Sequence, residues 1–166
     1  SVVIDFAIIA NPTSEHKSTI AQLMPFGFPL FIEKPIYSSL DIKDLVNSVG
    51  SKGISTYVAC NLRFLECIKF IKDNLPLFPY KKLNEVNVYC GSYLPEWRNC
   101  IDYKKNYSAI PEMGGGVQLD LIHEIDYIYW LFGIPERVRK TLTNSSSIGI
   151  KANDYANYCL EYKNFN

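Results

Sequence analysis

Two short stretches of the sequence carry side chains suited to proton transfer. Glu33, Lys34 and Pro35 follow a short apolar run, and a lysine there can donate to a hydroxyl while the glutamate tunes its charge. Asp120 and His123 stand three positions apart in a periodic segment, so a helix would present both on one face. A carboxylate beside an imidazole orients the ring and raises its pKa, which suits acid–base catalysis. The two stretches predict a proton-transfer site if the fold brings them together.

Each stretch also has a purely structural interpretation. Glu33 and Lys34 can form a surface ion pair before a turn proline, and His123 can be a half-buried helix residue with satisfied hydrogen bonds. Three consecutive glycines at residues 114–116 favour a site because they let the backbone approach a ligand, although they can equally form a flexible turn. The residues alone leave both interpretations open.

Other polar residues follow the remaining strand-like runs. His16 comes after the turn NPTS at residues 11–14 and can face the same cleft, although a histidine at a helix start is more often structural. Asn61 and Arg63 follow the third run and offer donors suited to a hydroxylated or anionic ligand, or to a surface bridge. These residues extend the candidate site.

The elements that position these residues alternate between strand and helix up to residue 60. Strand-like runs, rich in β-branched and apolar side chains, cover residues 2–10, 30–32 and 54–60. Helical spacing lies between them, over residues 15–26 and 42–49. The first run is apolar enough for a strand covered on both faces. This βαβαβ order predicts a parallel sheet, and ligands bind at the carboxyl edge of such sheets, where Lys34 is expected.

From residue 61 the pattern becomes mixed. A helix is predicted over residues 64–75, a half-buried strand over 85–93, and one continuous helix from the three glycines to Gly133. Further strands are predicted near 138–142 and 155–162, and an irregular aromatic stretch covers 94–113. We therefore predict an α/β protein with two domains, residues 1–60 and residues 61–166.

The composition restricts the class of partner. With 17 basic and 17 acidic residues the formal net charge is zero, and no charge run favours a nucleic acid or an anionic membrane. No apolar stretch has membrane-spanning length and the N-terminal residues lack signal-peptide features, so we expect a cytoplasmic location.

The five cysteines have neither C-x-x-C spacing nor histidines at metal-ligand spacing, which predicts no metal site. Most are expected to be reduced core residues. Cys60, Cys90 and Cys159 lie in strand-like runs, where a thiol behaves as a small apolar side chain.

The motifs NPTSEH, FIEKP, NLRF, GSYLPEW and GGGVQLDLIHEIDYIYWLFG occur in that order along the chain. This order resembles the Gfo/Idh/MocA family of NAD(P)-dependent sugar and polyol dehydrogenases over nearly the whole sequence. The resemblance implies that Lys34 orients the reacting hydroxyl, that His123 is the acid/base, and that Asp120 supports or shares that role. It also implies that the Lys34-Pro35 peptide bond is often cis.

The resemblance further implies a cofactor, NAD or NADP, and residues that contact it. These are Asn11, Pro12, Thr13, His16, Glu33, Lys34 and Pro35. Substrate contacts are expected from polar and aromatic side chains, because sugar faces stack on aromatic rings and sugar hydroxyls pair with planar donors. The candidates are Asn61, Arg63, Trp97, Tyr103 and Tyr107.

The family's G-x-G-x-x-G turn is absent from the sequence. The chain therefore resembles the middle of such an enzyme: the second half of a Rossmann-type parallel sheet, then part of an α+β substrate domain with a mostly antiparallel sheet. The leading hypothesis is an oxidoreductase that transfers hydride between nicotinamide and a hydroxyl-bearing carbon of a sugar, polyol or nucleotide sugar. The alternative is a truncated, non-catalytic member that acts as a binding or scaffold protein. Either could form a homo-oligomer through the sheet of the second domain.

Overall fold

The computed structural model describes residues 3–77, 83–97, 102–163 and 165. The first part of the chain forms a parallel sheet of three short strands, in the order β1-β2-β3. These strands are β1 (Ala7–Ile9), β2 (Leu30–Ile32) and β3 (Thr56–Val58). In the register, Ile8 lies beside Phe31, and Phe31 beside Tyr57. The predicted parallel sheet is confirmed.

Two helices cross over between these strands, α1 (Thr13–Leu23) and α2 (Lys43–Ser51). Each joins a 3-10 turn, Met24–Phe26 after α1 and Leu40–Ile42 before α2. Because both crossovers run in the same direction across the sheet and such connections are right-handed, the helices cover the same face. One apolar core results. Its buried members are Ile9, Ile20, Leu30, Ile32, Ile42, Val49 and Ile54.

The opposite face of the sheet is open, which corrects the expectation that β1 is covered on both sides. Ile8 is 62% exposed, and Tyr57 is also exposed. The apolar character of a run shows that a strand can be buried on both faces, but the direction of the crossovers decides which face the helices cover.

The predicted strand over residues 85–93 is wrong, because the structure assigns no strand there. A predicted helix precedes it as α3 (Glu66–Asn74), followed by the 3-10 turn Leu75–Leu77. Tyr89 in the segment is 94% exposed. An alternating sequence becomes a strand only when a neighbouring strand satisfies its backbone groups, and no strand of the described residues pairs with this segment.

The helix predicted after the three glycines is also interrupted. It forms α4 (Val117–Asp120) and α5 (His123–Phe132), and Leu121 between them has φ −100° and ψ 32°. The carbonyl oxygen of Asp120 accepts a hydrogen bond from Lys34 Nζ at 2.6 Å. A continuous helix would use that carbonyl for its own backbone, so the side-chain donor replaces a helical hydrogen bond at the interruption.

The last two predicted strands are confirmed as an antiparallel pair, β4 (Arg137–Thr143) and β5 (Tyr155–Glu161). Short 3-10 turns occupy much of the aromatic stretch before them. These turns are Leu94–Glu96, Tyr103–Lys105, Tyr107–Ala109 and Pro111–Met113. The division of the chain at residue 60 remains a prediction. Within the described ranges, every helix is too short or too polar to cross a membrane.

The cysteines differ from the sequence expectation. Cys90 and Cys159 are exposed, as is Cys67, so the core assignment is wrong for the first two. Exposed and half-buried residues alternate along most of β5, and Cys159 is one of the exposed ones, while Cys90 lies on the unpaired segment. Cys60 is half-buried, and Cys100 lies outside the described residues.

Candidate active site

The carboxyl edge of the parallel sheet brings three polar turns together. Asn11 follows β1, Lys34 follows β2, and the 3-10 turn Asn61–Phe64 follows β3. Backbone hydrogen bonds align the strand ends, since Glu33 N donates to Ile9 O at 2.8 Å. The polar residues that follow the three strands therefore begin at the same edge of the sheet.

Lys34 crosses from this edge to the second half of the chain. Its ammonium donates to the carbonyl oxygen of Asp120, 86 positions along the sequence. The Glu33 carboxylate accepts a hydrogen bond from the backbone amide of Lys34 at 3.2 Å and so stabilises the backbone of the turn. The Lys34 ammonium remains directed towards Asp120. The Lys34-Pro35 peptide bond is cis, as the resemblance implies.

His123 is the first residue of α5 and is half-buried. Burial lowers the pKa of this imidazole below its ordinary value, and the Lys34 ammonium lowers it further. Glu124, Asp126 and Glu33 act in the opposite direction but do not reverse the shift. Neighbouring carboxylates thus raise the pKa of His123 as expected, but burial and the Lys34 charge outweigh them, so the net shift is downward. A neutral imidazole at pH 7 is a proton acceptor.

Lys34 and His123 thus lie in the same region of the structure, although they stand far apart in the sequence. The lysine bonds to the residue three positions before the histidine, and its charge acts on the imidazole. Nδ1 of His123 is buried and has no hydrogen-bond partner in the part of the chain that the structure describes. The arrangement places a cationic donor beside a neutral base.

Asp120 does not share a helical face with His123 in the way the spacing predicts, because the helix is interrupted between them. Its backbone carbonyl receives Lys34, and the residue lines a cavity of about 1000 Å³. The cavity lies between residues 85–94, helix α5 and strand β5. Asp120 therefore connects the lysine to this cavity.

The three glycines allow a close approach between parts of the protein. A Cβ on Gly114, whose φ is +84°, would lie 2.7 Å from Cβ of Thr13. A Cβ on Gly115 would lie 2.2 Å from the carbonyl oxygen of Tyr107 and 2.7 Å from that of Ser108. Gly114 thus docks the second half of the chain on α1, where Thr13 is buried, while Gly115 permits close packing within the second half.

His16 lies behind the site. Its side chain is 1% exposed, and its ring nitrogens contact backbone carbonyl groups of the turns after β1 and β2. It does not face the cleft. Asn11 donates from Nδ2 to Glu15 Oε2 at 3.1 Å and to Thr19 Oγ1 at 2.9 Å, and its Oδ1 is buried without a partner among the described residues.

Arg63 makes a two-pronged ion pair with Asp126. Nε lies 2.8 Å from Oδ2, and Nη2 lies 2.5 Å from Oδ1. Arg63 therefore holds α5 against the end of β3. Asp126 also affects the neighbouring Cys60. Burial and a hydrogen bond to Asp126 raise the pKa of the Cys60 thiol to about 11, so the thiol stays protonated. The spacing of Asp126, three positions after His123, was the available sequence signal for its contact with Arg63.

The remaining predicted substrate residues occupy separate places. Trp97 lines the cavity and donates from Nε1 to Ser92 Oγ. Tyr103 donates its hydroxyl to the carbonyl oxygen of Ile148 at 2.8 Å, and Tyr107 is half-buried beside Gly115. Asn61 is exposed at the carboxyl edge. Of these residues, only Trp97 shares the cavity with Asp120.

Three polar atoms that sequence reasoning did not select also lie beside this cavity. Ser108 Oγ, Gln118 Oε1 and Glu124 Oε2 are buried and without hydrogen-bond partners among the described residues, and all three residues line the cavity. Gln118 and Glu124 flank Asp120 and His123 in sequence, which was the only available signal.

The residues present fit the nicotinamide end of a dinucleotide. Asn11 Oδ1 and His123 Nδ1, which have no hydrogen-bond partner within the described ranges, lie near the carboxyl edge together with the Lys34 ammonium. Dinucleotides bind at this edge of parallel sheets. A glycine-rich turn for the pyrophosphate is not present in the sequence. Among the described residues, no group of three or more candidate side chains could hold a metal ion.

The fold and the site define a two-sheet α/β protein with a lysine and a neutral histidine at the edge of its parallel sheet. Residues 82–165 match the GFO/IDH/MocA C-terminal domain, which is half of the chain. The chain belongs to the Gfo/Idh/MocA family.

Known proteins resemble the chain over most of its length. A 2,7-anhydro-N-acetylneuraminate hydratase from Mediterraneibacter gnavus is 28% identical over 151 residues, which covers 88% of this chain and 38% of the relative. The WlbA dehydrogenase from Bordetella pertussis, solved with NADH and UDP-GlcNAcA, has a TM-score of 0.81 at 20% identity and covers 97% of this chain and 48% of its own. An oxidoreductase from Bacillus cereus has a TM-score of 0.78 at 20% identity. The match covers 99% of this chain and 46% of the Bacillus protein. The chain thus spans under half the length of these proteins.

Proposed function

We propose that the chain forms the central part of an NAD(P)-dependent oxidoreductase acting on a hydroxyl-bearing carbon of a sugar, polyol or nucleotide sugar. The observation that carries the proposal is the hydrogen bond from Lys34, at the carboxyl edge of the sheet, to the carbonyl oxygen of Asp120, three positions before His123, whose pKa the lysine charge lowers. The relatives support the choice of substrate class, because one is named for an anhydro-sugar acid and another was solved with a nucleotide sugar.

A bound nicotinamide supplies the acceptor or donor of the hydride. The protein supplies proton transfer and placement. His123, neutral at pH 7, takes the hydroxyl proton when the substrate is oxidised and returns it when the carbonyl is reduced. Lys34 donates a hydrogen bond to the same oxygen, which stabilises the negative charge that develops there.

Asn11, Pro12 and the turn at Glu33, Lys34 and Pro35 would contact the nicotinamide end of NAD or NADP. Thr13 and His16 support this surface from behind, since both are buried. The ion pair between Arg63 and Asp126 keeps α5, and hence His123, against the edge.

For the substrate, we propose that Trp97 and Asp120 line the binding cavity, since both border the same space of about 1000 Å³. Asn61, Arg63, Tyr103 and Tyr107 would shape its surroundings. A cytoplasmic location and a homo-oligomer through the second sheet belong to the same proposal.

The test replaces Lys34 and His123 separately by alanine in the full-length protein and follows the absorbance of reduced nicotinamide. We expect turnover to fall by about two to four orders of magnitude in each variant, while each variant remains folded as judged by circular dichroism. Lys17→Ala is the matched control, because Lys17 forms an exposed ion pair with Asp41 on the far side of α1.

Near-normal turnover in either variant would refute the assignment of roles. The substrate panel includes sugars, polyols, nucleotide sugars and the anhydro-sugar acid named for the relative. Products are also identified by mass, because addition of water leaves the absorbance of the nicotinamide unchanged overall. Cofactor binding without turnover of any member would favour the alternative of a non-catalytic binding or scaffold protein.

A further inference from the structure

The buried imidazole of His16 joins the two turns on which the proposed site depends. Nε2 lies 2.9 Å from the carbonyl oxygen of Asn11, in the turn after β1. Nδ1 lies 3.1 Å from the carbonyl oxygen of Pro35 and 3.2 Å from that of Ile36, in the turn after β2. Both ring nitrogens therefore contact backbone carbonyl groups of different turns.

A carbonyl oxygen can only accept, so each of these contacts needs an N–H on the ring. A tautomer with one N–H donates to one turn, and the doubly protonated ring donates to both. All partners of the imidazole are backbone atoms. Its position therefore affects how far apart the two turns lie, and it does not orient another side chain.

Each turn carries a residue of the proposed site. Lys34 directly precedes Pro35, and its ammonium must reach the Asp120 carbonyl at 2.6 Å. Asn11 belongs to the turn proposed to contact the nicotinamide, and its side chain is anchored on α1, the helix that contains His16. A shift of either turn would therefore move the cofactor contact and the lysine relative to each other.

We propose that His16 is a positioning residue that sets the separation between the Asn11 turn and the Lys34 turn. This inference rests on the proposed function. It assigns His16 an effect on two separable steps: its Nε2 contact supports cofactor binding, and its Nδ1 contact supports the placement of Lys34 during turnover.

Two substitutions separate the contacts, because an amide nitrogen can replace either ring nitrogen. The amide of asparagine reaches about as far as Nδ1, so His16→Asn retains the donor to the Pro35 turn. The longer glutamine reaches about as far as Nε2, so His16→Gln retains the donor to the Asn11 turn. The control is Ile20→Val, which changes another buried residue of α1 whose apolar side chain cannot donate a hydrogen bond to either turn.

In the full-length protein we expect a split between kinetic constants. His16→Gln lowers kcat about tenfold or more and leaves the KM for the cofactor within about threefold, since misplacement of a catalytic group by about 1 Å can cost a hundredfold. His16→Asn raises the cofactor KM about tenfold and leaves kcat within about threefold. Ile20→Val lowers the midpoint of urea unfolding and changes neither constant by more than about twofold.

A second readout does not depend on turnover. The 166 residues contain two histidines, so a His16 variant of this chain has one imidazole signal in its NMR spectrum, that of His123. Release of the Lys34 turn moves the ammonium away from His123. The pKa of His123 should therefore rise in His16→Gln and stay unchanged in His16→Asn.

Equal kinetic changes in both variants, together with equal His123 titrations, would overturn the inference and leave His16 a purely structural residue. A wild-type protein without turnover would refute the proposed function instead. In that case the His123 titration still decides whether His16 positions Lys34.

Discussion

The two halves of the molecule differ in how completely they are packed. Residues 3–60 surround one apolar core, in which Ile9 and Ile32 are 1% exposed. In residues 83–165, the buried apolar side chains of the described part are only Ala109 and Ala152, and a cavity of about 1000 Å³ lies beside α5. The first half therefore has an apolar core of its own, while the second half contributes the face of α5 and the cavity beside it.

Specific contacts, rather than a shared core, join the two halves. Lys34 bonds to the Asp120 carbonyl and Gly114 packs on Thr13, while Arg63, in the turn that directly follows the first half, pairs with Asp126. Each of these contacts involves a turn at the carboxyl edge of the sheet or the start of α1. The site and the junction are consequently built from the same residues, so their stabilities should depend on each other.

The largest expected effect tests the contrast in packing. Ile32→Ala removes a fully buried side chain from β2 and should lower the free energy of unfolding by about 2–5 kcal/mol. Val138→Ala changes a strand residue that is 52% exposed and should cost less than about 0.5 kcal/mol. Urea unfolding followed by circular dichroism measures both. Similar losses in the two variants would show that the halves do not differ in packing.

A smaller effect is expected inside the second half, next to the junction. Gly115→Ala places a Cβ against the backbone carbonyl oxygens of Tyr107, Ser108 and Ile110, which cannot rotate away, and should cost about 1–3 kcal/mol. Gly50→Ala is the matched control in the first half, because open space surrounds that position in α2 and alanine favours a helix by up to about 1 kcal/mol. A Gly115 variant as stable as its Gly50 counterpart would show that the turn at the three glycines is not tightly packed.

The smallest effect is electrostatic and acts between the halves. Lys34→Met removes a charge that lowers the pKa of His123, so that pKa should move upward towards its ordinary value, as measured by NMR titration. Burial, the larger cause, remains. Lys17→Met, on the exposed side of α1, should leave the titration unchanged.

The sign of the accompanying stability change follows from linkage. The pKa of His123 in the folded protein lies below its unfolded value, so the unfolded state binds the proton first as the pH falls. Stability is therefore lost as the pH drops below the unfolded pKa, and this loss should be smaller in Lys34→Met. A downward shift of the His123 pKa in that variant would contradict the proximity of the two side chains.

The local sequence pattern was sufficient to predict the parallel sheet, the helices between its strands and the antiparallel pair β4 and β5. Apolar periodicity indicates helices and strands, and glycine and proline mark their ends. It also selected Lys34 and His123. It failed for the strand at residues 85–93, since pairing depends on a neighbour that alternation does not reveal. It failed for the continuous helix as well, because the donor that takes the Asp120 carbonyl is a distant lysine.

The sequence by itself thus determined which residue types stand at the ends of the strands and at the start of α5. Only the tertiary structure decided what they contact. Arg63 pairs with Asp126, His16 holds two backbone turns, and His123 has a lowered pKa. These outcomes depend on burial and on charges brought together from distant positions, and both arise only when the chain is folded.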